Sequence, residues 1–339
     1  MFPKLKSTIL QGKNLALALL ILLAVLAVYK HKASRLKESN NYEQFSGYVE
    51  SYTTGMISRE SPIRVRLAVD VQTLHTANEP VENAVFSFSP EVKGKAYWLD
   101  SRTIEFRPEE GELKPDKEYS ASLNLASVME IPEKLKEFRF DFKTIKPDYQ
   151  VETLGLRAAS TANAEKMLLK GIITTADTEK PENVEKQIRV DYDKGIKLRW
   201  EHNQETRSHT FIVENITRYK TEKTLNVHWN GNPINVAEGG SEAFEVPAFG
   251  DFKVLNIRTV QDKDQYISVQ FSDPIRVGQE LTGLLGISNQ AMPAYTIDGS
   301  EVKLYPSEKL DGSYTVFVNE GIENFEGKSF PAPSPETSL

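Results

Sequence analysis

Two histidines on either side of one short turn are the side chains in this sequence whose type and spacing come nearest to chemistry. His202 and His209 are accompanied by Glu201 and Glu205. Imidazole nitrogens and carboxylate oxygens bind zinc, but a zinc site needs a third protein ligand, and no residue at fitting spacing supplies one. We therefore expect these four residues to lie in a solvated loop.

Acidic residues cluster at two further turns. Asp262 and Asp264 form an Asp-Lys-Asp turn, while Glu109, Glu110 and Glu112 form a second acidic segment. Carboxylates bind calcium, but the twelve-residue calcium-loop pattern is absent from the aspartate turn. We expect a hairpin turn at the first cluster and a solvated loop at the second, and we predict no metal-binding residue.

The three tryptophans are candidates for a glycan-binding platform. Trp98, Trp200 and Trp229 all fall in predicted strands. Packing in the core is the ordinary role of an indole ring there, so core packing is the expectation. The glycosylation sequon Asn215-Ile-Thr217 follows a predicted strand, and we expect no function from it.

Motifs for nucleophilic or nucleotide chemistry are absent from the sequence. It contains no cysteine, which excludes a thiol nucleophile, a disulfide and a cysteine-ligated zinc. It also contains no G-x-S-x-G, no phosphate-binding loop and no G-x-G-x-x-G. We therefore predict that the protein is not an enzyme, with no catalytic or cofactor-binding residue and no small-molecule substrate.

Charge is distributed unevenly along the 339 residues. Seven of the 41 basic residues precede residue 38, where none of the 48 acidic residues occurs. The remainder therefore carries a formal net charge of −14, against −7 for the whole chain. An acidic body repels phosphate backbones, so we predict no nucleic-acid partner.

An uncharged apolar block lies near the N-terminus. It begins at Leu15 and ends at Tyr29, and lysines lie on both sides. As a helix it spans roughly 22 Å at about 1.5 Å per residue, somewhat less than a hydrocarbon core of about 30 Å. Tyrosine and lysine at its end suit a membrane boundary. We predict an uncleaved signal anchor over residues 1–37, with a cleaved signal peptide and a buried core helix as alternatives.

Beyond this block, apolar side chains at every second position predict β-strands. From Ile63 to Val71 the apolar residues alternate with arginine, alanine and aspartate. Similar short runs, bounded by proline or glycine, are typical of antiparallel sandwiches. We predict a mainly β fold of three tandem antiparallel Ig-like sandwich domains behind a transmembrane or signal-anchor helix. The predicted segments are the anchor (1–37), a stalk (38–57) whose part from residue 45 docks on the first domain, the sandwich domains (58–147, 148–248 and 249–330) and a Pro-rich linker (331–339).

The first and third predicted domains share a pattern. In each, a turn acid is followed eight residues later by a proline that ends an alternating strand, and then by a turn leucine and a strand that begins with tyrosine. This pattern predicts one hairpin unit that is used twice. Its members are Phe88-Ser-Pro90, Trp98-Leu-Asp100, Pro108, Leu113 and Tyr119 in the first, and Phe271-Ser-Asp-Pro274, Thr296-Ile-Asp298, Pro306, Leu310 and Tyr314 in the third.

These runs resemble a known family. The segment Ser51-Tyr-Thr-Thr-Gly-Met-Ile-Ser-Arg-Glu-Ser-Pro-Ile-Arg-Val-Arg-Leu67 and the run that ends in Leu-Lys-Pro-Asp-Lys-Glu-Tyr119 are similar to the N-terminal domains of bacterial α2-macroglobulins. They are also similar to the bacterial Ig-like domains of surface-layer and adhesion proteins. Macroglobulins carry a bait region and, in many members, a Cys-Gln thioester. Neither maps onto this sequence.

The resemblance implies the non-catalytic scaffold region of a membrane-tethered, α2-macroglobulin-like protease-trapping inhibitor. Its partner is expected to be a protease or another envelope protein. The block from Leu15 to Tyr29 would hold it in a bacterial inner membrane, with the bulk of the chain in the periplasm or cell envelope. The alternative is a structural or adhesive cell-envelope rod of bacterial Ig-like modules. The Pro-rich tail predicts that the chain continues into something longer.

Overall fold

A computed structural model describes residues 42–71, 75–81, 84–261, 263–331 and 337–338. The chain forms two compact units, which meet in the sequence at Lys146 and Pro147. The described residues are mainly β-strand, and their buried apolar side chains form three separate hydrophobic cores. The first unit contains one core, and the second unit contains the other two.

The first unit is a sandwich of two sheets that share one core. After a helical turn at 42–45, its strands are β1 (Val49–Tyr52), β2 (Gly55–Ile57), β3 (Ile63–Leu67), β4 (Glu79–Pro80), β5 (Phe86–Ser89), β6 (Gly94–Trp98), β7 (Thr103–Pro108), β8 (Glu118–Asn124) and β9 (Glu137–Thr144). Two 3-10 helices, Leu125–Ser127 and Glu133–Leu135, connect the last two strands. The sheet orders are β1-β3-β7-β6-β4 and β2-β9-β8-β5. All pairs are antiparallel except β2 with β9.

The predicted alternation is confirmed from Ile63 to Leu67, which form β3, but Val69 of the same predicted run lies beyond the strand and is exposed. In β9, Phe138, Phe140 and Phe142 are buried and the residues between them face outward. In β8, Tyr119 and Leu123 are buried in the same alternating manner. Each buried apolar side chain contributes about 1.5–3 kcal/mol by removal of its surface from water, so the alternation fixes which face of each strand forms the core.

Residues placed in the stalk by the sequence take part in the sheets. β1 pairs with β3, and β2 pairs in parallel with β9. Phe45 and Val49 are fully or almost fully buried in the core. The docking expected from residue 45 onward is therefore strand pairing.

The second sandwich opens the second unit. Its strands are β10 (Tyr149–Ala158), β11 (Lys166–Thr175), β12 (Ile188–Asp191), β13 (Lys197–Asn203), β14 (Ser208–Thr217), β15 (Lys223–Asn230) and β16 (Gly239–Val246). A short helix, α1 (Pro181–Glu185), precedes β12, and a 3-10 helix (Asn232–Ile234) follows β15. The sheet orders are β10-β11-β14-β13 and β12-β15-β16, and both sheets contribute to one core.

The third sandwich completes the second unit. Its strands are β17 (Val254–Gln261), β18 (Gln265–Phe271), β19 (Leu285–Ile287), β20 (Ala294–Asp298), β21 (Glu301–Tyr305), β22 (Thr315–Val318) and β23 (Thr337–Ser338). The sheet orders are β17-β18-β21-β20 and β19-β22-β23. Phe271, Leu285 and Val316 come from both sheets and lie in the same core.

The hairpin unit predicted twice is present twice. β6 pairs with β7 in the first sandwich, and β20 pairs with β21 in the third, both antiparallel. Each is followed by a tyrosine whose hydroxyl bonds back to the preceding turn. Tyr119 Oη accepts from Lys114 N at 2.8 Å, and Tyr314 Oη donates to Asp311 O at 3.0 Å. Such a tyrosine corner is a feature of Ig-type sandwiches.

The predicted anchor from Leu15 to Tyr29 lies outside the described residues. Within the described ranges, no helix has the length and apolar character that a membrane crossing requires.

Candidate functional site

The structure brings the two candidate histidines together. His202 lies on β13 and His209 on β14, directly opposite each other in the antiparallel pairing. Their Nδ1 atoms are 2.9 Å apart, so one donates to the other, and His202 Nε2 lies 3.2 Å from a Glu185 carboxylate oxygen. The ring of Trp200 lies parallel to that of His202, with ring centroids 5.8 Å apart.

Their position differs from the solvated loop that the sequence predicted. His209 is fully buried because its side chain points inward from β14, and the expectation of loop residues was wrong for both histidines. Burial, together with the smaller effect of the neighbouring His202, lowers the pKa of His209 to about 4. Among the described residues, Nε2 of His209 has no hydrogen-bond partner.

The acidic clusters are used in turns and strand connections. Asp264 lies in the bend between β17 and β18, and Gln261 and Gln265 form the pair nearest to that bend. The predicted hairpin is therefore confirmed there. Asp262 lies outside the described residues. Glu109 and Glu110 are exposed, as predicted. Glu112 differs, because its carboxylate accepts from Lys93 N at 3.1 Å. Across the described ranges, no group of three or more histidine or acidic residues is arranged to bind a metal ion.

The tryptophans lie on three different sheets. Trp98 is almost completely buried in the core of the first sandwich, and the ring of His75 stacks on it at 4.2 Å. Trp200 and Trp229 are half-buried and pack against the core of the second sandwich. Core packing, the expected role, is confirmed. Asn215 lies within β14 rather than after it, with a left-handed φ of 63°.

The most elaborate polar arrangement in the second unit surrounds Arg218, which sequence reasoning missed. Arg218 follows β14 directly, and its side chain is completely buried. A buried guanidinium is costly unless its donors are satisfied. Its Nη2 donates to Ala248 O at 2.8 Å and to Asp251 O at 2.7 Å, and its Nε donates to Pro247 O at 3.3 Å. The segment that connects the second and third sandwiches therefore wraps its carbonyl groups around one side chain.

The remaining donor group of Arg218 reaches both sandwiches. Nη1 donates to Ala164 O at 3.0 Å in the second sandwich and forms an ion pair with Asp273 in the third. Asp273 is almost fully buried, and its second carboxylate oxygen accepts from Asn324 Nδ2 at 2.8 Å. Asn324 Oδ1 in turn accepts from Lys328 N at 2.9 Å. The charge of Arg218 is thus balanced and bonded on both sides of the connection.

A second contact joins the same two sandwiches away from Arg218. Ala158 N, at the end of β10, donates to Ser300 Oγ at 3.2 Å, and Gln270 Nε2 donates to that oxygen at 2.7 Å. Gly155 has a left-handed φ of 83°, and a Cβ at this position would lie 3.3 Å from Asn256 Nδ2. Glycine therefore allows β10 to pass close to β17. We use the name joint for three features together: the hydrogen bonds and ion pair of Arg218, the Ala158–Ser300 contact, and the 247–251 connection.

The contacts of the joint link parts of the protein to each other. The donors of Arg218 are committed to carbonyl groups and a carboxylate of the protein itself. Breaking a buried pair of this kind is far more costly than breaking a surface ion pair. The arrangement holds the second and third sandwiches in one orientation.

Comparisons with known proteins give no assignment. No family model matches the sequence, and no curated protein matches it. Among solved structures, L,D-transpeptidase 3 from Mycobacterium tuberculosis is 16% identical over 36% of this chain and 44% of its own, with a TM-score of 0.20. Another L,D-transpeptidase from the same organism is 12% identical over 66% of this chain and 75% of its own, with a TM-score of 0.23. Mouse clustered PcdhgC3 EC1-3 is 9% identical over 85% and 97%, with a TM-score of 0.23. This chain spans 44% of the length of the first of these structures, and scores this low carry no argument about its fold or activity.

Proposed function

We propose that this chain is the non-catalytic scaffold region of a membrane-tethered, α2-macroglobulin-like protease-trapping inhibitor. It would be attached to a bacterial inner membrane through the block from Leu15 to Tyr29, with the bulk of the chain in the periplasm or cell envelope. A protease, or another envelope protein, would be its partner. No residue of the chain would be catalytic.

The observation that carries this proposal is the joint. A scaffold region of such a trap would need modules that keep a defined relative orientation. The buried Arg218–Asp273 pair and the Ala158–Ser300 contact restrict the motion of the second sandwich against the third. The motifs of residues 51–119 that resemble macroglobulin domains, and the two tyrosine corners typical of Ig-like sandwiches, support the same proposal.

The test uses the full-length gene product and an added protease. A trap predicts that the protease cleaves the protein at one region and is then shielded from large protein substrates, while it still hydrolyses small peptides. Arg218→Ala should reduce the shielding, because it loosens the scaffold. Arg189→Ala, which removes an exposed 2.7 Å pair with Asp191 within β12 of the second sandwich, is the matched control. A protease that cleaves the protein and keeps full activity on large substrates would reject the proposal.

The alternative is a structural or adhesive cell-envelope rod of bacterial Ig-like modules. The repeated hairpin unit favours it, since the same strand–turn–strand pattern is used in the first and third sandwiches. The protease experiment separates the two candidates. A rod predicts neither a single preferred cleavage region nor any change in the activity of the protease.

A further inference from the structure

A groove of about 360 Å³ lies beside the joint in the second unit. Three strands line it, namely β10, β16 and β17, and each of them is the terminal strand of its own sheet. The volume falls within the range of about 300–1,000 Å³ that is usual for ligand sites. Terminal strands present backbone N–H and C=O groups that lack a neighbour.

The groove runs along the backbone edge of β16. Four consecutive residues, from Glu242 to Glu245, line it. Successive side chains of a strand point to opposite faces, so a run of consecutive lining residues places the strand edge itself against the groove. In the described part of the chain, β16 pairs with β15 only, which leaves its outer edge open for another strand.

The opposite wall of the groove is also formed by the edge of a strand. Val254, Leu255 and Asn256 are consecutive lining residues from β17. The pairing of β17 with β18 shifts register between Val254 and Asn256, and Leu255 has no partner there. Phe244, which is half-buried, adds apolar surface to the groove, while Leu156 is almost fully buried beneath it. An extended chain placed between these walls would meet a strand edge on each side, with the ring of Phe244 and polar side chains such as Asn256 around it.

The charge of the groove is negative. Lys253 is neutralised by Glu222, since Lys253 Nζ lies 2.6 Å from a Glu222 oxygen and this hydrogen bond raises the pKa of the lysine. Glu242 accepts from Thr153 Oγ1 at 2.6 Å, which leaves its charge in place. Among the described residues, no cation lies within ion-pair distance of Glu242 or Glu245. Glu245 also acts on Lys253 and raises its pKa, so the four charged side chains of the groove, namely Glu222, Glu242, Glu245 and Lys253, leave a formal net charge of −2 there.

We propose that this groove binds an extended, basic peptide segment of a partner protein. The peptide adds a strand to the outer edge of β16, and its lysine or arginine side chains lie against Glu242 on one face of the strand and Glu245 on the other, since these glutamates are three residues apart. Strand addition supplies affinity through backbone hydrogen bonds, and the acidic side chains supply the preference for a basic sequence. This inference does not depend on the protease-trapping role.

The first experiment measures the charge preference. The full 339-residue chain, in a neutral detergent, is titrated against the fluorescein-labelled lysine–valine hexapeptide Lys-Lys-Val-Val-Lys-Lys, which places lysines on both faces of an extended chain, and binding is followed by fluorescence anisotropy. We expect saturable binding that is at least tenfold tighter than that of the glutamate–valine hexapeptide. The double variant Glu242→Gln with Glu245→Gln should lose at least tenfold in affinity, whereas Glu201→Gln with Glu205→Gln, both exposed elsewhere on the same sandwich, should not. Equal affinities for the two hexapeptides, or an unaffected double variant, would overturn the proposal.

The second experiment measures the backbone contribution on the unaltered protein, so it does not depend on how the variants fold. The lysine–valine hexapeptide is N-methylated at alternate amides along one edge, in two versions, one for each edge. Strand addition uses one edge of the peptide, so one version should bind at least tenfold more weakly than the unmethylated peptide. Undiminished binding of both versions would show attraction by charge alone and would overturn strand addition.

Discussion

At the scale of single residues, Arg218 is the side chain on which the second unit depends most. Its charge is buried with that of Asp273, and the other donors hold carbonyl groups of the connection between the sandwiches. Removal of one partner from a buried pair leaves the other charge uncompensated, which costs about 3–5 kcal/mol. The cost arises when one partner is removed, whereas formation of the pair itself contributes little net stability.

Arg218→Ala should therefore lower the free energy of unfolding of the second unit by about 3–5 kcal/mol. Urea unfolding followed by tryptophan fluorescence reports this, because Trp200 and Trp229 pack against the core of the second sandwich. Arg189→Ala, which removes only the exposed pair with Asp191 within β12, should cost about 1 kcal/mol or less, as is usual for such a pair. Similar losses in the two variants would contradict the assignment of Arg218 as the central residue of the joint.

His209 makes the stability of the second unit depend on pH. Burial lowers its pKa to about 4 in the folded protein, against an ordinary value near 6.5 in the unfolded chain. Below about pH 6.5 the unfolded chain binds a proton that the folded protein does not bind until about pH 4, so stability falls as the pH falls through that window. The total loss is about 3 kcal/mol.

The measurement compares the free energy of unfolding at pH 7 and pH 5 in the wild type and in His209→Asn. The variant should show a smaller loss over that interval, since it lacks the titrating ring. Carboxylates that titrate in the same range contribute equally to both proteins and cancel in the comparison. Identical pH dependence in the two proteins would show that His209 is not the source.

At the scale of elements, the tyrosine corners tie each repeated hairpin unit to its following strand. Tyr119 Oη lies 2.8 Å from Lys114 N, and Tyr314 Oη lies 3.2 Å from Asp311 N. The turn leucines, Leu113 and Leu310, are buried beside them. In each corner the tyrosine hydroxyl therefore accepts a hydrogen bond from a backbone N–H of the turn, outside the strand ladders.

Tyr119→Phe and Tyr314→Phe should each lower the free energy of unfolding of the sandwich concerned by about 1 kcal/mol, the net value of a typical hydrogen bond. Thermal or urea unfolding measures the change. Tyr305→Phe, at a half-buried ring outside both corners, is the control. An effect of Tyr305→Phe as large as that of the corner variants would remove the special role of the corners.

At the scale of the whole molecule, the sequence predicted the sheets better than their junction. Period-two alternation marks β8 and β9, because the face of a strand that joins a core must be apolar. It does not mark β1, in which two exposed residues separate the buried Val49 from the half-buried Tyr52, or β19, a three-residue strand with a central glycine.

Arg218 was not predictable for a different reason. An arginine after a strand is ordinary in a sequence, and its partner Asp273 lies 55 residues further on. Burial of the pair arises only when two sandwiches dock. The histidines illustrate the same limit, since the hairpin register alone places His202 opposite His209 and turns His209 inward.

The central claim is that the joint holds the second and third sandwiches in one orientation. Because the sequence contains no cysteine, Glu205→Cys with Lys309→Cys gives two unique and exposed sites for spin labels, one in each sandwich. Pulsed electron–electron double resonance then measures the distribution of distances between the labels in the full chain. We predict one narrow distribution, which broadens when Arg218→Ala is added. A broad distribution in the labelled protein that retains Arg218, or no change on its removal, would contradict the account.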